Sequence, residues 1–227
     1  MAKIIKTKSG SIADERHALI VGRNTLVVLG ILLFFLFKPF IVIGLLGGAV
    51  LHSKAKNLKQ DSSIEKAIKN ELLRLPDDYT VFTNLIFKYS KDMIVSVKYL
   101  VIGVNKIFVI GTTNGNGTIN GDIKDKTFIC TYNDAPYKSV ILNPFLENNT
   151  VIFAVNVVLS KLNISREPES LVIQINEDAF FNIQNQNTPL LTVDQLSETI
   201  FEADARGFWI SPEEKQSIID AFKGLAL

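Results

Sequence analysis

Met93–Thr113 reads MIVSVKYLVIGVNKIFVIGTT, and these residues decide the fold. Two β-rich runs, Met93–Gly103 and Lys106–Thr113, are separated by a short polar break. Ile107-Phe108-Val109-Ile110 is unbroken apolar sequence, which predicts a strand covered on both faces. Working outward, Tyr79–Tyr89 is a third β-rich run, and Asn114-Gly115-Asn116-Gly117 is a turn rich in residues that accept positive φ. Thr118–Ile123 and Lys126–Tyr132 read as short strands joined by Lys124-Asp125. Upstream, Ser62 and Glu65 are spaced as a capping box, and Ile64, Ala67, Ile68, Leu72 and Leu75 recur at helical spacing until Pro76. Downstream, Asn143-Pro144 opens a helix to Leu162 with Val151, Val155 and Val158 along one side. Leu171–Ile175 is a further strand. Two amphipathic helices follow: Val193–Ala205 with Val193, Leu196 and Ile200 inward, and one from Ser211-Pro212 that buries Ile218, Ile219 and Phe222. This order of elements indicates an α/β sheet with helices packed on it.

Composition narrows the classes. The 227 residues are 47% apolar with a net charge of +1, so the chain can bury a core and is not disordered. A single cysteine, Cys130, excludes a disulfide scaffold, and two histidines leave almost no ligands for zinc. The charge is unevenly spread. Residues 1–70 carry 11 basic and 4 acidic side chains, whereas residues 71–227 carry 13 and 19.

Thr25 to Leu51 reads TLVVLGILLFFLFKPFIVIGLLGGAVL, interrupted only by Lys38 and Pro39. A bilayer core of about 30 Å needs about 20 apolar residues in a helix, so this run is long enough to cross. Residues 1–24 then form a basic N-terminal tail, 25–51 a membrane segment, 52–60 a basic juxtamembrane linker, and 61–227 the folded domain. His17 and His52 flank the segment and read as interfacial polar residues. Two topologies compete. A single span, kinked at Pro39, is the more frequent kind and the one favoured; a hairpin would place Lys38-Pro39 at its tip. Five basic residues precede the segment (Lys3, Lys6, Lys8, Arg16, Arg23) and five follow it (Lys54, Lys56, Lys59, Lys66, Lys69), so both flanks claim the cytoplasmic side. Gly44, Gly47 and Gly48 offer a close-packing surface for homo-oligomers in the membrane.

From Ile64 to Leu162 the chain resembles the nuclease-related domain (NERD) family. Glu65 stands where the family opens its first helix, and Leu73-Arg74-Leu75-Pro76-Asp77-Asp78-Tyr79-Thr80-Val81 matches its "L-x-x-L-P-x-x-Y-x-V" passage. Leu100-Val101-Ile102-Gly103 and Ile107-Phe108-Val109-Ile110 match its central strands. Gly117, Ile119 and Gly121 follow its post-strand turn, and Asn143-Pro144 its second long helix. The resemblance implies a restriction-endonuclease-like fold: a mixed sheet flanked by helices. In active members of that fold an Asp on one strand and a Glu-x-Lys on the next hold a divalent metal and orient water. Here the Asp position is Lys98, the Glu-x-Lys position is Gly111-Thr112-Thr113, and the Gln of the following helix is Glu147; Glu65 alone persists. A cation in place of a carboxylate repels a divalent ion.

The expectation is therefore a membrane-anchored NERD-like protein without catalysis, with no metal and no cofactor. It would act as a binding or scaffolding module on the cytoplasmic face of the cell membrane. Its partners would be the lipid bilayer, through residues 25–51, and a protein that the sequence does not specify. The alternative is a magnesium-dependent nuclease or nucleic-acid binder whose site has migrated, with Asp122-x-Lys124 and Asp92 as candidate groups. The acidic balance of residues 71–227 speaks against phosphate recognition.

Overall fold

Apolar runs too short for helices become strands, and the two central ones form a hairpin. The structure is a computed structural model that describes residues 1–6, 21, 25, 63–132 and 135–227. Met1–Ser9 and Ile68–Leu227 make one compact unit, and Gly10–Ala67 make another. In the second unit, Thr25 Oγ1 donates to the Val21 carbonyl at 2.9 Å, one helical turn earlier. Lys38, Pro39 and Leu51, read as membrane anchors with Thr25, lie outside the described residues, as do Ser62, His17 and His52. Among the described residues no helix is long and apolar enough to cross a membrane.

The first unit contains two mixed sheets where the sequence led us to expect one. Its strands are β1 (Lys3–Lys6), β2 (Thr80–Lys88), β3 (Ile94–Ile102), β4 (Ile107–Thr113), β5 (Thr118–Asp122), β6 (Thr127–Tyr132), β7 (Ala135–Leu142), β8 (Glu169–Gln174), β9 (Phe180–Gln184) and β10 (Leu190–Leu191). The larger sheet runs β1-β2-β3-β4-β8-β10 and the smaller β7-β6-β5-β9. β2, β3 and β4 pair antiparallel, whereas β1 joins β2, β8 joins β4 and β10 joins β8 in parallel. The chain leaves the larger sheet after β4, because Asn114–Gly117 turns it away, with Gly117 at φ +70°. β1, β7, β9 and β10 were not anticipated. β1 lies inside the stretch read as a basic tail, and the side chains of β9 alternate between exposed and half-buried positions.

The helices are α1 (63–73), α2 (Pro144–Lys161), α3 (Leu196–Ala205) and α4 (Pro212–Leu225). Each long helix begins where its sequence says it should. Asn143 Oδ1 accepts from the Phe145 and Leu146 amides at 2.9 and 3.3 Å, and Pro144 fills the first turn where no amide donor is needed. Ser211 Oγ accepts from the Glu214 amide at 3.1 Å, again ahead of a proline. On one face of the larger sheet, Ala154, Val155, Val158 and Leu159 of α2 and Ile218, Ile219 and Phe222 of α4 pack against Phe82, Leu100, Ile102 and Val109. Phe108 and Ile110 are equally buried, so β4 is covered on both faces as its sequence predicts. A second core joins the sheets: Ile119, Phe128 and Cys130 meet Phe145 and Val172, with the Phe128 and Phe145 ring centres 6.3 Å apart.

One end of the β3–β4 hairpin is tied down by a single carboxylate. Asp204 of α3 is 1% exposed. It accepts from Tyr79 Oη at 2.7 Å and from the Val104, Asn105 and Lys106 amides at 3.1, 3.0 and 2.7 Å. Burial, and then the hydrogen bond to Asp204, push the Tyr79 phenol well above its ordinary value. Lys215 Nζ donates to the Gly103 carbonyl at 2.9 Å and to that of Asp78. Gly103 has to be glycine: a Cβ there would lie 2.3 Å from Asp204 Oδ1. Beside this loop, Arg166 donates to the Phe208 and Trp209 carbonyls at 2.8 and 2.7 Å and to both oxygens of Glu214.

Candidate functional site

The other end of the same hairpin opens. One step past its last ladder pair, Tyr99↔Ile110, the register sets Lys98 opposite Gly111 on the face that α2 covers. The β2–β3 ladder also skips a pair here: Asn84, which would face Lys98, takes φ 54°. Asparagine tolerates that left-handed conformation better than most side chains. The result is a cleft of about 350 Å³ lined by Ser96, Lys98, Gly111, Thr112, Glu147 and Asn148, among others.

Within it, the exposed Lys98 donates from Nζ to Thr112 Oγ1 at 2.5 Å. Glu147 stands exposed in the first turn of α2. Asn148, one residue on, is 3% exposed and ties α2 to two strands. Its Nδ2 donates to the carbonyls of Val109 on β4 and Leu171 on β8 at 2.9 and 3.1 Å, and to Ser170 Oγ at 2.7 Å. Three acceptors around the amide nitrogen fix its orientation and turn Oδ1 toward Gly111. A Cβ at position 111 would stand 3.2 Å from both Asn148 Cγ and Oδ1, closer than carbon atoms ordinarily pack. The glycine therefore makes room for the buried amide, and a side chain starting at 111 would require that amide to give by a few tenths of an ångström.

The structure thus brings Lys98, Gly111 and Glu147 to one cleft. Thr113 lies further along β4, 6% exposed, and is not part of its wall. Glu65 is a half-buried helical residue of the unit Gly10–Ala67. Asn148 escaped sequence reasoning, which looked one residue earlier. Its only signal was a second polar residue in the helix opening Pro144-Phe145-Leu146-Glu147-Asn148-Asn149.

The migrated alternative finds other employment for its residues. Asp122 Oδ1 accepts the Lys124 amide at 2.9 Å and Oδ2 accepts Asn185 Nδ2 at 2.6 Å. The Lys124 amide and then Asn185 hold the Asp122 carboxyl below its ordinary range. Asp122 and Lys124 build a turn at the end of β5, in the smaller sheet, while Asp92 sits exposed in the turn before β3.

The cleft's donor set does not fit a divalent cation. It offers one ammonium, the hydroxyls of Ser96 and Thr112, one exposed carboxylate and one buried amide, where magnesium takes several hard oxygens, carboxylates among them. Among the described residues no group of three or more His, Cys, Asp or Glu is placed to hold a metal ion. What the cleft can do is hydrogen-bond and ion-pair a ligand between a cation and a carboxylate. Nothing among curated proteins and nothing among solved structures matches the chain. The family model described as "Nuclease-related domain" does match, over residues 61–175, and that match spans both strands of the open hairpin, α2 and β8. With the strand order, the cleft and this match in agreement, the chain belongs to the nuclease-related domain (NERD) family.

Proposed function

We propose that this NERD protein binds through its nuclease-type cleft without cutting, and that it scaffolds a protein partner at the cytoplasmic face of the membrane that holds residues 25–51. The observation that carries this reading is the pairing of Lys98 with Gly111 in the cleft, the glycine being crowded by Asn148. At the two positions where the family's chemistry calls for metal-holding carboxylates, this chain has a cation and a hydrogen atom. The acidic balance of residues 71–227 supports a protein partner over a polyphosphate one. The basic flanks of residues 25–51 support the cytoplasmic placement.

The test is cleavage and metal binding by the full chain in detergent. Single- and double-stranded DNA and RNA are incubated with magnesium or manganese, and the same protein is titrated with each metal by calorimetry. The expected result is no cutting and no tight divalent site. Metal-dependent cutting that is abolished by Glu147→Ala or Asp122→Ala would overturn the proposal.

A further inference from the structure

The parallel pairing of β1 with β2 bears on a question that residues 25–51 leave open: whether the chain passes through the bilayer or enters and leaves by one face. β1 precedes that segment and β2 follows it. The register is Lys3↔Thr80, Ile4↔Val81, Ile5↔Phe82 and Lys6↔Thr83, extended by the Lys3 amide donating to the Tyr79 carbonyl at 3.0 Å. Met1–Ser9 and Ile68–Leu227 accordingly belong to one compact unit. A chain that crosses the membrane once places its two flanks in different compartments, and strands in different compartments cannot pair.

We infer that residues 25–51 engage the lipid bilayer from one side only, with both flanks on the side of the NERD domain. This rests on the membrane attachment proposed above and replaces the single span favoured from sequence. The pairing is not a dispensable edge contact. Thr80, Val81, Phe82 and Thr83 are each at most 6% exposed with β1 in place, so losing β1 would open an apolar strand edge and leave the backbone groups of β2 there without their ladder partners. Ala2 is 4% exposed and Ile5 packs against the main core. A second copy in the same orientation would not supply the missing strand, because its own residues 1–6 would be displaced in the same way.

Two features of the sequence agree. Lys38-Pro39 divides the apolar run into 13 and 12 residues. Each part is short of the roughly 20 that a crossing requires. The five basic residues on each flank then share the cytoplasmic side, whereas a single span would force one set out.

The experiment places one reactive cysteine on each flank of the full chain in cells, Lys3→Cys or Lys223→Cys, both at exposed positions. The native Cys130 is wholly buried and stays unlabelled. A membrane-impermeant maleimide is applied to intact and to permeabilised cells. The expected result is that both sites are protected in intact cells and both gain label at least tenfold on permeabilisation. Labelling of both in intact cells upholds the shared side and overturns only the cytoplasmic placement. Labelling of one site and protection of the other overturns the inference while leaving membrane attachment intact. Release of the native chain by alkaline carbonate overturns the attachment and the inference with it.

Discussion

The two ends of the β3–β4 hairpin carry similar side-chain chemistry to opposite purposes. At the closed end, Asp204 and Lys215 hold the loop so closely that the Val104, Asn105 and Lys106 amides and the Gly103 carbonyl all find side-chain partners, and Asp204 takes the Tyr79 hydroxyl as well. At the open end, Lys98 bonds to a hydroxyl and faces solvent, while the Asn148 amide oxygen points at a glycine. A closed end fixes the geometry of both strands, so an exposed side chain at the open end such as Lys98 should be replaceable at little cost to the fold, whereas Gly111 and the buried Asn148 are not free in the same way. The difference is open to measurement by substitution at each end.

The largest effect is expected at Asp204. Asp204→Ala strands the Val104, Asn105 and Lys106 amides and the Tyr79 hydroxyl in a site that water barely reaches. Each such orphan costs about 1–3 kcal/mol, discounted where the loop relaxes, and we expect a loss of about 3–5 kcal/mol in all. Thermal unfolding of the full chain in detergent, followed by circular dichroism, measures it. A loss below about 1 kcal/mol would show that the loop holds without the carboxylate and that the two ends differ less than their hydrogen bonds suggest.

What was legible in the sequence divides along the same line. The strands β2 to β6, α2 and α4 could be read because their signals are local: apolar runs, an Asn-Pro and a Ser-Pro cap, a glycine turn. β1 could not, since four residues reading Lys-Ile-Ile-Lys acquire meaning only by pairing with residues 77 positions later. Asp204 reads as one more charge on an amphipathic helix, because the groups that bury it come from 98 to 125 residues earlier. Of the family positions the resemblance pointed to, Lys98, Gly111 and Glu147 line one cleft, whereas Thr113 is not among its lining residues and Glu65 belongs to the other unit. The resemblance gave no hint that Gly111 serves Asn148, a contact between a helix and a strand that only packing creates. The second sheet was missed because β7 and β9 keep apolar residues on an open face, with Val140, Leu142 and Phe180 all more than 60% exposed, which blurs the alternation that marks a half-buried strand.

A middle effect is expected beside the closed end, and it depends on pH. The Arg166 guanidinium holds the Glu214 carboxyl below the ordinary carboxylate range. Because the folded pKa is the lower one, the unfolded chain takes up this proton first on acidification. The stabilisation is therefore complete above the unfolded value of about 4.3 and is lost as pH falls through the folded value. Glu214→Gln should lower stability by about 1 kcal/mol at pH 7, and that gap should close as pH drops below about 4. The carbonyl of Trp209, the chain's one tryptophan, is held by Arg166, so its fluorescence follows the loop while unfolding follows the fold. A gap independent of pH would assign the loss to packing and not to the ion pair.

The smallest effect is expected at Lys98, where a small value is the informative one. Lys98→Ala removes an exposed ammonium whose hydrogen bond runs to Thr112 Oγ1, and that hydroxyl can turn to water once the lysine is gone. Exposed substitutions of this kind change stability by about 0.5 kcal/mol or less, which in a chain of this size is a shift of about 1–2 °C in Tm. If the fold had recruited Lys98 to hold β3 against β4 where the ladder stops, the shift would approach that of Asp204→Ala, and the lysine would be a structural replacement with no bearing on ligands. A Tm that barely moves means that nothing in the framework calls for a cation at this position. Its ammonium is then free to serve the binding role proposed for the cleft, and the contrast between the two ends of the hairpin is one between a group the fold depends on and a group it does not.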